Sequence, residues 1–459
     1  MKPYPKYKPS NIPWLGDVPE HWDVRRLGSF FAERTEKVSD KDYPPLSVTK
    51  NGIMPQLANA AKSNDGDNRK KVCKGDYVIN SRADRKGSSG LSKYDGSISL
   101  INTVLIIKNI DEIFSHRILK SFPFVEEFYR VGKGIHNDLW STQYSEMRKI
   151  MFPQPPIYEQ HQIARFLDWK ITMINKFIKA KKRIIELLKE QKQAIINDAV
   201  TGKIDVRTGK PYSKYKPSSV EWLGDIPEKW EVRRLGSLGI FSKGNGVSRS
   251  DLVENGVPVI LYGDIYTKYN YKIDEIVNKI SSETSQNSLS IYNGYLLMTA
   301  SGETKEDIGK CVVYVGTVTA FAGGDLIIFK QDYCNSTYLS YALNSTSSIT
   351  QKATKSKGDI IVHLYPSQLK NIKITFPSLR DQLTIVKFIE SNINRIDNAI
   401  KNIVNELFLV KEYKDRLIAD AVTGKVDIRK IKVPEQIEVV EEEVIEEEVE
   451  ELTDIDEEE

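Results

Sequence analysis

The sequence predicts an α+β fold in which two mixed α/β domains are joined by two long antiparallel helices, coiled-coil-like, with pseudo-two-fold symmetry. Three observations lead to this prediction. A segment of sixteen residues occurs twice in the chain. Each half then ends in an apolar heptad pattern that is typical of a long helix. Short β-rich runs, separated by turn residues, lie between these two blocks in each half.

The repeated segment stands near the start of each half. Trp14 to Ser29 reads WLGDVPEHWDVRRLGS and Trp222 to Ser237 reads WLGDIPEKWEVRRLGS, with thirteen of sixteen positions identical. Two further blocks recur near the end of each half, 159–168 with 381–390 and 195–207 with 417–429. The chain therefore contains an internal duplication. We interpret one tryptophan of each copy as a packing anchor rather than as a platform for stacking a base: Trp22 and Trp230.

The spacing between the copies changes from 208 residues at the opening segment to 222 residues at the later blocks. The fourteen additional residues of the second copy therefore lie between Ser237 and Asp381. Similarity is nearly lost there, and only DYVINSR at Asp76 faintly matches GYLLMTA at Gly294. Each half is thus a similar frame around a dissimilar module. This pattern predicts two modules that perform one task on different targets.

The later blocks predict one long helix in each half. Apolar residues follow one another at alternating steps of four and three from Leu167 and from Ile389, which is a sustained heptad seam. Lys192 and Lys414 interrupt this seam at equivalent places, as register-setting polar residues would. About 35 residues at 1.5 Å each give a helix of roughly 50 Å. Because the chain must return, we expect the two helices to pack antiparallel, with one module at each end.

The modules themselves show the pattern of mixed α/β structure. SISLINTVLIIKN, residues 97–109, and KCVVYVGTVTAFAGGDLIIFK, residues 310–330, are β-rich and are bounded by Gly, Asn and Ser. The order of the strands does not follow from these runs. Three cysteines, no apolar stretch of spanning length and no signal peptide indicate a protein of the reducing cytoplasm.

The net charge of +3 conceals an uneven distribution. The segment from Pro434 onward holds 15 Asp and Glu and no Lys or Arg, so the preceding 433 residues carry 66 basic against 48 acidic side chains. Such an excess is expected of a protein that meets a polyanion, although solvated lysines on helices could account for part of it. The acidic tail is predicted to be disordered, and it could compete with DNA or act only as a solubilising segment.

No local motif for catalysis is present. The chain lacks a GxxxxGK[ST] phosphate loop, the [DNS]PP[YFW] tetrapeptide of adenine methyltransferases and a GxGxxG dinucleotide turn. Its five histidines are dispersed without the spacing of metal ligands. We therefore predict no catalytic residues, no metal site and no cofactor bound by this chain.

Candidate contacts to nucleic acid lie in basic loops that contain glycine, two loops in each module. Glycine lets the backbone approach a phosphate closely, and Lys or Arg supplies the charge. Each residue taken singly could equally be a solvated surface residue. The candidates are Arg82, Arg85, Lys86, Arg130, Lys133, His136, Lys243, Arg249, Lys352, Lys355 and Lys357.

Taken together, the paired WLGxxPxxWxxxRL segments, the unlike modules and the P…(E/D)Q…I…F(L/I) openings of the helices resemble the specificity (S) subunit of type I restriction–modification systems. The resemblance covers about residues 4–430. It implies two target-recognition domains that each read half of an asymmetric bipartite DNA site. It also implies that the two helices act as a ruler and as a dock for two methyltransferase (M) subunits. S-adenosylmethionine, ATP and Mg²⁺ would then belong to the M subunits and to the restriction (R) subunits.

These expectations define five segments: a first target-recognition domain at 1–155, a first helix at 156–207, a second target-recognition domain at 208–376, a second helix at 377–430 and the acidic tail at 431–459. Two alternatives remain at this point. One is an autonomous DNA methyltransferase or nuclease whose site has no recognisable motif. The other is a scaffold or anti-restriction protein whose acidic tail imitates DNA.

Overall fold

A computed structural model describes residues 1–56, 66–134, 140–302, 304–305, 308–358 and 362–435. The chain divides into two compact units, one formed by Met1–Ile184 with Lys401–Glu459 and the other by Ile185–Ile400. The boundary between the units falls inside both long helices, so each unit contains a part of each helix. The domain limits of the sequence analysis remain a prediction, and most of the acidic tail, residues 436–459, lies outside the described residues. Among the described helices, none is long and apolar enough to cross a membrane.

The first unit is built from thirteen described strands, three described short helices and a part of each long helix. The strands are β1 (Tyr7–Pro9), β2 (Asp17–Pro19), β3 (Asp23–Arg26), β4 (Phe31–Glu33), β5 (Lys37–Val38), β6 (Leu46–Thr49), β7 (Gly52–Pro55), β8 (Arg69–Val72), β9 (Tyr77–Asn80), β10 (Ser89–Leu91), β11 (Gly96–Ile98), β12 (Asn102–Ile107) and β13 (Met151–Gln154). The helices are α1 (Glu112–Lys120), α2 (Phe122–Arg130), α3 (Tyr144–Met147) and α4 (Ile157–Thr201).

The second unit follows a related order, begins with the last part of α4 and ends inside the second long helix. Its described strands are β14 (Tyr215–Pro217), β15 (Asp225–Pro227), β16 (Glu231–Arg234), β17 (Gly239–Lys243), β18 (Leu252–Ile260), β19 (Lys272–Ile273), β20 (Lys279–Ile280), β21 (Leu289–Ile291), β22 (Leu296–Thr299), β23 (Ser301–Gly302), β24 (Cys311–Tyr314), β25 (Ala320–Ala322), β26 (Leu326–Gln331), β27 (Val362–His363) and β28 (Lys373–Phe376). Its described helices are α5 (Tyr262–Thr267), α6 (Ser282–Ser285), α7 (Ser336–Leu343), α8 (Thr346–Lys355), α9 (Pro366–Leu369) and α10 (Leu379–Val422).

The repeated opening segment forms the same frame in both units. In the first, β1 pairs with β2 and β3 pairs with β13; in the second, β14 pairs with β15 and β16 pairs with β28, all antiparallel. Trp22 and Trp230 are buried, which fits packing anchors. The hydroxyl of Tyr7 donates to the carbonyls of Gly424 and Lys425. In the second unit, Tyr215 makes the corresponding bonds to Gly202 and Lys203.

The two modules differ far more than the two frames do, yet each module contains a four-stranded sheet with the same strand order. Strand order β10–β9–β12–β4 in the first module matches β24–β22–β26–β17 in the second, with every neighbouring pair antiparallel. The faint sequence match at Asp76 and Gly294 corresponds to the central strands β9 and β22. Around this core the first module adds the sheet β11–β8–β5 and the hairpin β6–β7, whereas the second adds β20–β18–β25–β21 and the edge strand β19.

The long helices are antiparallel within each unit, as predicted. In the first unit, Lys181 forms an ion pair with Glu406 at 2.7 Å, and Gln162 donates to the carbonyl of Ile428, which follows α10. In the second, Lys192 pairs with Asp397 at 2.7 Å. The helices contain 45 and 44 residues, longer than the predicted length. The additional turns lie at their N-termini, where buried polar residues conceal the heptad pattern.

The polar interruption of the seam is present in both units but differs in chemistry. The internal repeat places Asn175 and Lys414 in the first unit where Asp397 and Lys192 stand in the second. Both Asn175 and Lys414 are buried. The Asn175 amide has no hydrogen-bond partner among the described residues. An amide therefore replaces the carboxylate of the ion pair at this position.

Candidate nucleic-acid interface

Three predicted residues of the first module, Arg82, Arg85 and Lys86, lie directly after the central strand β9. Residues 83–85 form a 3-10 turn that places Arg82 and Arg85 on the surface. The hydroxyl of buried Tyr129 donates to the carbonyl oxygens of Asn80 and Arg85 and so holds this turn in place. Burial raises the pKa of Tyr129 to about 12, which keeps its hydroxyl protonated as a donor. The Lys86 ammonium forms an ion pair with Glu126, so it is less available to bind a phosphate than Arg82 and Arg85.

The other predicted loop of this module is held by carboxylates. Arg130 donates through Nε and Nη2 to Glu127, which raises the pKa of the guanidinium. Lys133 pairs with Glu146 at 3.1 Å. His136 lies outside the described residues. Arg130 and Lys133 would have to exchange these partners for a phosphate, so they are weaker candidates than Arg82 and Arg85.

A cleft of about 430 Å³ contains Arg82 and Arg85 together with an arginine that sequence reasoning missed. This residue is Arg69, the first residue of β8. Its side chain is only 5% exposed, and it donates from Nε to Ser97 Oγ at 2.9 Å. We call this site the arginine cleft; its polar lining includes Arg69, Arg82, Arg85, Asp84, Asn80 and Asn102. A side chain in RKKV gives no sequence signal of burial, because three consecutive basic residues suggest an exposed strand.

In the second module, the predicted residues Lys243 and Arg249 line a separate cleft of about 700 Å³. Both side chains are exposed. The walls are rich in glycine, and Gly244 is required sterically because a Cβ there would lie 2.0 Å from the carbonyl oxygen of Gly323. Glycine walls leave backbone groups open to an approaching phosphate. The two modules therefore each possess a basic cleft, built on different strands.

The last three predicted contacts lie at the end of α8 and directly after it. Lys355 is half-buried, and Lys357 is exposed on the segment that bridges to His363. Lys352 corrects the prediction: it is 1% exposed, and its Nζ donates to the carbonyl of Gly309 at 2.6 Å. The buried face of α8 is largely polar, so the helix reads as exposed in the sequence. Lys352 is not placed to reach DNA.

Burial lowers the pKa of Lys352 to about 8, from an ordinary value of 10.5. Between these pH values the unfolded chain binds a proton that the folded chain lacks, so the stability of the second unit rises with pH. We expect the substitution Lys352→Met to remove this rise, which amounts to about 3 kcal/mol. Urea denaturation of the original protein and of Lys352→Met at pH 7 and pH 10.5 measures how much the unfolding free energy of each rises with pH, and the difference between the two rises is the contribution of Lys352. Weaker DNA binding by Lys352→Met at unchanged stability would restore Lys352 as a contact.

Two similar frames that carry unlike modules, each with a basic cleft, define a protein with two recognition modules. Residues 227–407 match the family model described as "Type I restriction modification DNA specificity domain". This match and the relatives described next identify the chain as similar to type I restriction–modification specificity subunits. The described residues also contain no group of three or more His, Cys, Asp or Glu side chains that could hold a metal ion.

Curated relatives and solved structures agree with this family. The MjaVIII specificity subunit of Methanocaldococcus jannaschii is 23% identical over 90% of this chain and 95% of its own length. The EcoBI specificity subunit of Escherichia coli is 24% identical over 61% of this chain and 59% of its own length. In fold, the chain is similar to the HsdS subunit of Thermoanaerobacter tengcongensis, with a TM-score of 0.51 at 14% identity, covering 89% of this chain and 98% of that one. It is also similar to a chain whose structure is described as the basis of complex assembly and conformational transition of the type I R-M system. That TM-score is 0.66 at 15% identity, covering 89% of this chain and 99% of that one.

Proposed function

We propose that this chain is the non-catalytic DNA-recognition component of a type I restriction–modification complex. Each module recognises one half of an asymmetric, bipartite duplex site. The observation that carries the proposal is the contrast between frame and module. The two frames use the same strand pairs and the same tyrosine contacts. The modules share only a four-stranded core and surround it with different sheets. This is the pattern expected of two recognition modules that are held by equivalent frames and bind different DNA sequences.

The helices support the docking of two identical methyltransferase subunits. Ile157 and Leu379 occupy equivalent places at the helix starts and are 54% and 57% exposed. Leu409 and Leu187 are also equivalent by the internal repeat, and are 61% and 46% exposed. Each unit therefore presents one exposed residue of each pair. Large exposed apolar side chains are typical of interaction surfaces, and their repetition suits two copies of one partner.

Under this proposal the chemistry belongs to the partners. S-adenosylmethionine would bind to the methyltransferase subunits, and ATP and Mg²⁺ would be used by restriction subunits, while this chain binds no cofactor and works in the cytoplasm. An assay of the purified chain with DNA and either S-adenosylmethionine or ATP with Mg²⁺ should detect no turnover. Turnover would favour the autonomous enzyme instead.

The decisive experiment exchanges one module. Residues 30–150 start directly after the 3-10 turn Leu27–Ser29 and end before β13, so their replacement by the module of a related subunit preserves the β3–β13 pair. We expect the methylated sequence to change in one half and to remain the same in the other. Exchange of residues 238–372, which likewise preserves the β16–β28 pair, is the matched control and should change the other half. Changes in both halves, or in neither, would contradict the proposal.

A further inference from the structure

The arginine cleft contains a buried positive charge that the protein does not neutralise. Among the described residues, no carboxylate lies within 4.0 Å of the Arg69 guanidinium. Two other partly buried arginines of the first unit have carboxylate partners: Arg34 pairs with Asp76 at 2.7 Å, and Arg117 pairs with Asp168 at 2.9 Å. Burial lowers the pKa of Arg69, and Asp40 offsets this only through space. Of these three arginines, Arg69 is the one without a carboxylate partner.

The hydrogen bonds of Arg69 leave part of its donor capacity unused. Nε donates to Ser97 Oγ and Nη2 donates to the Ser97 carbonyl at 3.2 Å. A guanidinium carries five N–H donors, and Nη1 has no protein partner among the described residues. Removing a charged group from water is costly unless an opposite charge and hydrogen bonds replace the water. The position of Arg69 on the wall of an open cleft indicates that the missing anion comes from outside.

The rim of the cleft also favours the binding of an anion. Arg82 and Arg85 lie on the turn that Tyr129 holds, and Asp84 is the one acidic side chain in the cleft lining of the described residues. Asp84 lies 4.0 Å from Arg85, too far for a strong ion pair, and is about half exposed. Three guanidinium groups therefore line the cleft, and the single carboxylate of Asp84 does not neutralise their positive charge. Arginine is the side chain best suited to hold a phosphate through paired N–H donors.

We propose that the arginine cleft binds one backbone phosphate of the half-site that the first module recognises, with Arg69 as the buried anchor and Arg82 and Arg85 as rim contacts. This inference rests on the proposed function. Phosphate contacts fix the position and register of a protein on the duplex but carry no sequence information. Arg69 accordingly determines how tightly and in which register the first module binds, while other side chains of the module read the bases.

The first test uses the unaltered protein, assembled with its methyltransferase subunits, and a duplex carrying the methylated site mapped in the source genome. Single neutral methylphosphonates are placed at successive positions of the first half-site. We expect one position to weaken binding about ten- to hundredfold, the range of a charge-assisted hydrogen bond. If no position in that half-site is sensitive, the cleft holds no backbone phosphate and the inference fails.

The second test removes the anchor. Arg69→Met should weaken binding about ten- to hundredfold on specific and random duplexes alike. It should reduce the slope of log affinity against log salt concentration by about one, the effect of losing one phosphate contact. It should also abolish the effect of the methylphosphonate at the sensitive position, while the methylated sequence stays the same. Its Tm should equal or exceed that of the original protein, because a buried unpaired charge is removed. A merely structural Arg69 would instead lower the Tm and leave the methylphosphonate effect intact.

Arg130→Met is the matched control, since Arg130 lies in the same module but is paired with Glu127. It should retain full sensitivity to the methylphosphonate. An unchanged affinity of Arg69→Met, or a new first half in its methylated sequence, would overturn the inference, the latter because the cleft would then read a base. The proposed function fails separately, if the unaltered complex methylates no bipartite site.

Discussion

Substitution of Trp22 by alanine should destabilise the first unit by about 3–5 kcal/mol, the usual cost of removing a buried aromatic side chain. Trp22 is fully buried and packs edge-to-face on Tyr4, with ring centroids 5.9 Å apart. Its Nε1 donates to Glu159 Oε1 at 3.2 Å. The carboxylate of Glu159 is buried and also accepts from Tyr4, whose raised pKa keeps its hydroxyl protonated. Loss of the indole therefore leaves a cavity beside a buried carboxylate.

The second unit offers the matched control. Trp230 is 2% exposed, packs on Tyr212 at 5.7 Å and lies in the same position of its frame. Trp230→Ala should destabilise the second unit by a similar amount and should leave hydrogen exchange in the first unit unchanged. Urea denaturation with hydrogen-exchange readout on each unit makes the comparison. If either variant lost DNA affinity without losing stability, the tryptophan would be a stacking platform and not a packing anchor.

The frame was predictable because its chemistry is repetitive and apolar. The heptad seam gave both long helices and their antiparallel packing within each unit. The heptad pattern itself begins only at Leu167 and Ile389, because buried Gln160 and Gln382 occupy earlier seam positions where an apolar side chain is expected. Gln160 and Gln382 accept from the backbone N–H groups of Asp111 and Asn335 in the modules, and the neighbouring buried Glu159 accepts from Trp22 of the frame. A polar residue that is buried to make such contacts cannot be distinguished in sequence from an exposed one.

The interface was only partly predictable for the same reason. Arg82 and Arg85 follow a recognisable strand and precede glycine, and the structure brings them together in one cleft. Arg69 reaches that cleft from a different sheet, in which β8 pairs with β11 and β5. Lys352 had an equally suggestive sequence context and is buried. Which basic side chain is exposed depends on tertiary packing that neither charge nor spacing encodes.

Truncation after Val422 should cost the first unit several kcal/mol, whereas truncation after Glu435 should leave its stability unchanged. The segment between them, residues 423–435, completes the first frame. Lys425 donates from Nζ to the carbonyls of Leu15 and Asp17 at 2.8 and 2.7 Å. Asp427 donates its backbone N–H to the Lys2 carbonyl at 2.9 Å. Burial of one isoleucine contributes about 2–5 kcal/mol and each hydrogen bond about 1 kcal/mol.

The buried isoleucine of this segment is Ile428, which is fully inaccessible. In the second unit the equivalent residues, 201–213, belong to the connection between α4 and β14, so that frame is closed by the chain itself. The first frame has no such covalent link and is closed only by packing. We therefore expect truncation after Val422 to abolish recognition of the first half-site and to spare that of the second, as methylation of single half-sites would measure. Equal denaturation midpoints for the two truncations would mean that the segment contributes nothing to closure, despite the contacts it makes.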